Sequence, residues 1–123
     1  MPYNILVVDD SKAMRMMVLR SLRAAGFDVA SAREAANGRE AQERLKEGQL
    51  DVIFSDWNMP EMNGIDFLRW VRAESEQKEV PFFLITTESG QEQVAEAAAA
   101  GVTGYLEKPF TNEDLEKKLI GFL

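Results

Sequence analysis

Three short apolar segments constrain the fold of this chain more than any other feature. They lie at residues 5–8, 50–55 and 80–85. Apolar residues largely follow one another within them instead of alternating with polar residues, which is typical of strands buried on both faces. Such strands occur in parallel sheets that carry helices on both sides. The three segments therefore predict an α/β domain.

The remaining elements follow from apolar spacing and from Gly, Pro and capping residues. Helices are predicted at residues 11–25, 37–47, 65–74, 91–100 and 111–123, and weaker strands at 27–32 and 104–107. Met14, Met16 and Met17 are interpreted as packing residues of the first helix. Thr111 is expected to cap the last helix, with Asp114 three residues later. Five alternating strand–helix units indicate one domain over residues 1–123, with a parallel sheet between two layers of helices.

Composition excludes several kinds of chemistry. The chain has neither cysteine nor histidine, which excludes disulfides, thiol nucleophiles, Ser-His-Asp catalysis and zinc sites built on Cys or His. Its net charge of −7 disfavours nucleic acid and anionic membranes as direct partners. The first apolar run is only four residues long and has no basic leader, so we expect a buried strand and not a signal peptide. The expected location is the cytoplasm.

Polar residues follow the predicted strands at one edge of the sheet. Asp9 and Asp10 end the first strand, Asp56 the third and Thr86 the fourth, and Lys108 follows the fifth. Ligands of open α/β sheets bind at this carboxyl edge. Converging carboxylates need a positive counter-charge, and Mg2+ prefers such oxygen ligands. The set predicts a Mg2+ site at which a carboxylate can accept a phosphoryl group.

Each of these residues also has an ordinary structural interpretation. Asp10 or Ser11 can cap the first helix, Asp56 can begin a turn, and Lys108 can be a solvated charge. The convergence of all the sites on one edge favours the functional interpretation.

Four motifs make the chain resemble the response regulator receiver family. They are Val7-Val8-Asp9-Asp10-Ser11, Ser55-Asp56-Trp57-Asn58-Met59-Pro60, Thr86-Thr87-Glu88, and Gly104-Tyr105-Leu106-Glu107-Lys108-Pro109-Phe110. The resemblance runs from about Tyr3 to Leu123, and the second motif and the stretch around Tyr105 are similar to stand-alone chemotaxis regulators. It implies a flavodoxin-like (βα)5 fold with strand order 2-1-3-4-5.

The resemblance also implies roles at the site. Asp56 would be the phosphoacceptor, and Asp10, Asp56 and the backbone carbonyl of Asn58 would bind Mg2+. Asp9 would assist through water, and Lys108 would contact the phosphoryl oxygens. The phosphoryl donor would be a histidine kinase.

A switch and its output are implied in the same way. Thr86 would move toward the phosphoryl group, and Tyr105 would swing into the space that it leaves. The Lys108–Pro109 bond would be cis. The output surface would comprise the helix at residues 91–100, the strand at Tyr105 and the last helix. A flagellar motor protein is the expected target of a monomeric regulator, with a phosphatase as a further partner.

The sequence departs from the family pattern at two positions. Thr87 stands where a small residue is usual and would narrow access to the site, and Glu61 adds a negative charge to the loop after the third strand. Asn58 and Glu88 flank the site and would tune hydrolysis of the acyl phosphate.

Other functions remain open from the sequence. A phosphorelay shuttle and a receiver cut from a longer regulator share the same chemistry. A Mg2+-dependent aspartyl phosphohydrolase would need a second aspartate where Asn58 stands. An FMN carrier is disfavoured, because it would need a phosphate-binding loop where Asp9 and Asp10 stand. ATP is disfavoured as a direct phosphoryl donor, because the P-loop pattern is absent.

Overall fold

The computed structural model describes residues 2–87, 90–108 and 110–120. Its strands are β1 (Tyr3–Val8), β2 (Val29–Ala35), β3 (Val52–Asp56), β4 (Phe82–Thr86) and β5 (Gly104–Glu107). Its helices are α1 (Lys12–Ala24), α2 (Gly38–Leu45), α3 (Gly64–Glu74), α4 (Gln91–Ala100) and α5 (Asn112–Leu119). The strands pair in parallel in the order β2-β1-β3-β4-β5, which confirms the expected flavodoxin-like topology.

Two apolar cores lie on opposite faces of the sheet. Leu6 and Val8 of β1 belong to the core beneath α2, α3 and α4. Ile5 and Val7, which alternate with them, belong to the core beneath α1 and α5. Because successive strand residues point to opposite faces, the continuous apolar run of β1 supplies both cores. The central strands are thereby fixed in register, and so are the residues that follow them.

Side-chain caps fix where four of the helices begin. Ser11, Asn37, Asn63 and Thr111 each accept a hydrogen bond from the backbone N–H three residues later. Thr111 and Asp114 form a reciprocal capping box, which confirms the predicted cap. Helix α4 begins after Gly90 and has no side-chain cap.

Strand β2 differs from its prediction. It was expected at residues 27–32, but it pairs with β1 as far as Ala35. It is an edge strand in which Ala30, Ser31 and Ala32 are exposed and Arg33 and Glu34 are partly buried, so it lacks the apolar run that marks the central strands. Pairing with β1 sets its ends, and that information lies elsewhere in the chain.

The prediction for two methionines of α1 was wrong. Met16 and Met17 are 49% and 48% exposed, because the inner face of α1 is occupied by Val18, Leu19 and Leu22. A smaller difference is that β3 and β4 begin two residues later than predicted.

Some expectations fall on residues that the structure does not describe. These are Pro109 with its expected cis bond, Glu88, and residues 121–123 of the predicted last helix. Among the helices of the described residues, none has the length and apolarity needed to cross a bilayer.

Gly64 fixes how α3 packs beside the end of β3. Its N–H donates to the Trp57 carbonyl at 2.8 Å. A Cβ added at Gly64 would lie 2.1 Å from the carbonyl oxygen of Asp56. The start of α3 therefore depends on the absence of a side chain at this position.

We expect Gly64→Ala to lower the free energy of unfolding by about 2–3 kcal/mol, because the backbone must move to remove the overlap. Urea denaturation measures this change. Gly90→Ala is the matched control, since its added methyl meets only the end of the Gln93 side chain. An equal, small change in both variants would contradict the packing argument.

Candidate functional site

Three carboxylates meet at the carboxyl ends of β1 and β3. Val8 pairs with Ser55 in the parallel ladder, so Asp9 and Asp56 follow at the same level of the sheet. Asp9, Asp10 and Asp56 each offer an oxygen atom, and these atoms lie within 4.8 Å of one another. Asp9 is only 4% exposed, whereas Asp10 is open to solvent. The convergence predicted from the strand ends is therefore present.

Lys108 places a positive charge between two of these carboxylates. Its Nζ lies 3.3 Å from Asp56 Oδ1 and 3.6 Å from Asp9 Oδ2. Its backbone N–H donates to the Thr86 carbonyl at 2.7 Å, which holds the residue at the end of the β4–β5 pair. One ammonium group thus offsets part of the charge of two carboxylates.

The surroundings of Asp56 make its ionised form costly. Burial raises the pKa of the Asp56 carboxyl, and the nearby Asp9 carboxylate raises it further. Lys108 and the Trp57 N–H, which donates to Asp56 Oδ1 at 2.9 Å, lower this pKa. The net direction is upward from the ordinary value, so burial and the Asp9 carboxylate together outweigh the effects of Lys108 and the Trp57 N–H on this pKa.

A basic residue that the sequence analysis missed holds the β1–α1 loop. Arg15 donates from Nη1 to the Asp9 carbonyl at 2.7 Å and pairs through Nε with Glu34 at 2.9 Å. The Asp9 carboxylate also accepts from the Ser11 N–H at 2.9 Å. These bonds orient Asp9 from two sides. Arg15 is one of several basic residues in α1, and its sequence position alone does not distinguish it.

Thr86 and Tyr105 lie together on the α4 side of the sheet. Thr86 ends β4 and is buried, whereas Tyr105 of β5 is half-buried. Both line a small pocket with Trp57, Val94 and Ala97. The two residues to which the family resemblance assigns a switch therefore line the same pocket.

Asn58 and Thr87 lie at the rim of the site. Asn58 is exposed in the loop between β3 and α3, and Thr87 is exposed immediately after β4.

The donor set fits a hard divalent cation. Carboxylate oxygens within 4.8 Å of one another are the ligands that Mg2+ prefers, and Mg2+ commonly uses only one or two of them with waters. Asp9, Asp10 and Asp56 are therefore the residues that could hold such an ion.

Comparisons with protein families, curated proteins and solved structures all point to the same family. The model of the response regulator receiver domain matches residues 5–120. The chain is 48% identical over 116 residues to chemotaxis protein CheY-3 of Vibrio cholerae, covering 94% of this chain and 88% of that protein. It is 44% identical to chemotaxis protein CheY of Pseudomonas aeruginosa, covering 94% and 92%. A solved structure of Vibrio cholerae chemotaxis protein CheY4 superposes with a TM-score of 0.87 at 41% identity, over 100% of both chains.

The Asp56 environment predicts a pH-dependent stability difference. A carboxyl whose pKa is higher in the folded state destabilises that state as the pH rises above the unfolded-state pKa, and the penalty is complete above the folded-state pKa. Asp56→Asn should therefore raise the free energy of unfolding at pH 7 in a chelator. The gain should shrink as the pH falls toward 3.8, the ordinary value of the carboxyl.

Urea denaturation at several pH values tests this expectation. Asp28→Asn is the matched control, because it removes one exposed carboxylate far along the chain from the site. A gain that is independent of pH, or that is equal in the control, would contradict the electrostatic explanation.

Proposed function

Because this chain belongs to the response regulator receiver domain family and is a relative of CheY-type chemotaxis regulators, we propose that it is a phosphorylation-dependent signalling switch with Asp56 as phosphoacceptor. Residues 1–123 act as one receiver domain. A receiver domain acts as a signalling switch on a partner protein. It catalyses its own phosphorylation and dephosphorylation and does not turn over a separate substrate. The proposal rests on the geometry of Asp56 between Asp9, Asp10 and Lys108.

One observation carries the choice of Asp56 as nucleophile. Its Oδ1 accepts from the Trp57 N–H and the Lys108 ammonium, whereas within residues 2–87, 90–108 and 110–120 Oδ2 has no such partner. Asp9 is more buried, and both of its oxygens face donors or Lys108. Asp56 thus offers an oxygen that is fixed in direction and accessible for attack.

The proposed reaction transfers a phosphoryl group from a phosphohistidine of a histidine kinase. The Asp56 carboxylate oxygen attacks phosphorus, the phosphorus–nitrogen bond breaks, and its electron pair returns to the imidazole, which takes up a proton. An acyl phosphate on Asp56 results. Lys108 neutralises charge on the phosphoryl oxygens. Mg2+, held by Asp10, Asp56 and the Asn58 carbonyl, supplies the remaining positive charge when bound.

The proposed switch connects this chemistry to the far side of β4 and β5. The Thr86 hydroxyl moves toward the phosphoryl oxygens, and Tyr105 moves into the space that the Thr86 side chain leaves in the small pocket that both line. Lys118 Nζ lies 5.5 Å from the centre of the Tyr105 ring. The inward movement of Tyr105 would break this contact. The resulting change appears on the surface formed by α4, β5 and α5.

The proposed partners follow from the relatives. Proteins named for chemotaxis are among them, so a chemotaxis histidine kinase is the donor and a flagellar motor protein is the target. A phosphatase would end the signal. The protein would act in the cytoplasm as a monomer.

The phosphoacceptor can be tested by intact mass. Incubation with acetyl phosphate and Mg2+, followed by a rapid acid quench, should add one phosphoryl mass to the wild type. Asp56→Asn should remove this adduct completely, since the amide cannot form an acyl phosphate. Omission of Mg2+ with a chelator should lower the adduct yield strongly.

Asp66→Asn is the control for the loss of a carboxylate, since Asp66 lies on α3 and is exposed. An adduct that persists in Asp56→Asn, or a wild type without any adduct, would refute the proposed phosphoacceptor.

The switch has a separate prediction. Thr86→Val keeps the shape of the side chain but removes the hydroxyl, so beryllofluoride and Mg2+ should still bind. The binding should no longer change amide hydrogen exchange in β5 and α4 as it does in the wild type. Thr87→Val is the adjacent control and should retain the response. Equal responses in Thr86→Val and the wild type would exclude the hydroxyl from the switch.

A further inference from the structure

The loop between β3 and α3 is tied to a helix that takes no direct part in the site. Asn37 caps α2 through Oδ1, which accepts from the Glu40 N–H at 2.9 Å. Its Nδ2 donates to Glu61 Oε2 at 3.0 Å. Asn37 is only 6% exposed. Both ends of one buried amide are therefore used, one within α2 and the other on the loop.

Backbone contacts reinforce this connection. The Gly38 N–H donates to the Met62 carbonyl at 3.0 Å. A Cβ at Gly38 would lie 2.6 Å from Met62 Cγ, so the helix start and the loop are in close contact. The side-chain bond of Asn37 is thus part of a joint between α2 and the loop.

Glu61 has an unusual backbone conformation. Its φ is +64°, and it is the one non-glycine residue with positive φ among the residues that the structure describes. Glutamate adopts this left-handed region at a cost that glycine would avoid. A glutamate in this conformation whose carboxylate is bonded to a buried amide points to a use for that carboxylate.

Asn58 lies between two fixed points of this loop. On one side, the Trp57 carbonyl accepts from the Gly64 N–H at 2.8 Å. On the other side, Glu61 and Met62 are held by Asn37 and Gly38. The path of the intervening residues is therefore set by both attachments.

We propose that the hydrogen bond from Asn37 to Glu61 positions the loop so that the Asn58 carbonyl can serve as a Mg2+ ligand. Asn37 and Glu61 are then positioning residues that act through Asn58. This inference rests on the proposed function, since it concerns the metal of the same site.

The first test is Asn37→Ser, measured as the Mg2+ dissociation constant by calorimetry and by tryptophan fluorescence. Serine is as good a helix cap as asparagine, but it lacks the amide that donates to Glu61. Loss of the bond should weaken Mg2+ binding about tenfold, as is typical when a residue that orients a metal ligand is removed. The variant leaves the net charge unchanged.

Asn63→Ser is the matched control. Asn63 caps α3 by accepting from the Asp66 N–H at 2.9 Å, and it borders the same loop on its other side. The same substitution at this cap should leave the Mg2+ dissociation constant within about twofold of the wild type, the scatter expected for context effects. Unfolding in a chelator should show similar stabilities for the two variants.

Exchanging donor and acceptor provides a rescue. Asn37→Asp keeps a helix cap but places its carboxylate against that of Glu61, and the two repel each other. Mg2+ binding should therefore weaken, even though the added negative charge alone would strengthen it. In Asn37→Asp/Glu61→Gln, the glutamine amide can donate to the aspartate. The double variant should return to the dissociation constant of the wild type.

The outcomes separate this inference from the proposed function. If the wild type binds Mg2+ and Asn37→Ser binds it equally well, or Asn37→Asp binds it more tightly, the positioning role is wrong and the phosphoacceptor proposal stands. If the wild type does not bind Mg2+, both proposals are wrong.

Discussion

The structure is organised around negative charge held at one edge of a buried sheet. Asp9 and Asp56 repel each other at the ends of adjacent strands, and Lys108 reaches both but does not restore the ordinary pKa of Asp56. Such an arrangement persists only if the strands beneath it cannot separate. The two apolar cores supply this constraint, because the same residues of β1 and β3 that fill them also set the register of the carboxylates.

The sequence predicted the central strands and the site for a common physical reason. Burial on both faces requires continuous apolar residues, so β1, β3 and β4 can be identified in the sequence. The polar residues that follow these apolar runs can then be identified as well. Asp9, Asp56 and Lys108 were placed correctly without knowledge of any contact. The order of the strands in the sheet was predicted from the resemblance to a family and not from the apolar pattern.

Other features depend on contacts that a linear pattern does not contain. The ends of β2 are set by pairing with β1, and the exposure of Met17 is set by which side of α1 the core occupies. The contact of Arg15 with the Asp9 carbonyl and that of Asn37 with Glu61 join segments that are 6 and 24 residues apart. Each involves an ordinary polar residue, and only the fold distinguishes it from its neighbours.

The energetics of the α4 side suit the proposed switch. The buried residues of α4 are Ala97 and Ala100, and its start lacks a side-chain cap, which elsewhere contributes about 1 kcal/mol. The Lys118 contact with Tyr105 contributes about 0.5–1 kcal/mol at an exposed site. A hydrogen bond from Thr86 to a charged phosphoryl group contributes about 1.5–3 kcal/mol. A bond of this size is of the same order as the helix cap and the Lys118 contact. Helix α1 is held instead by the buried side chains of Val18, Leu19 and Leu22, whose burial contributes about 1.5–3 kcal/mol each.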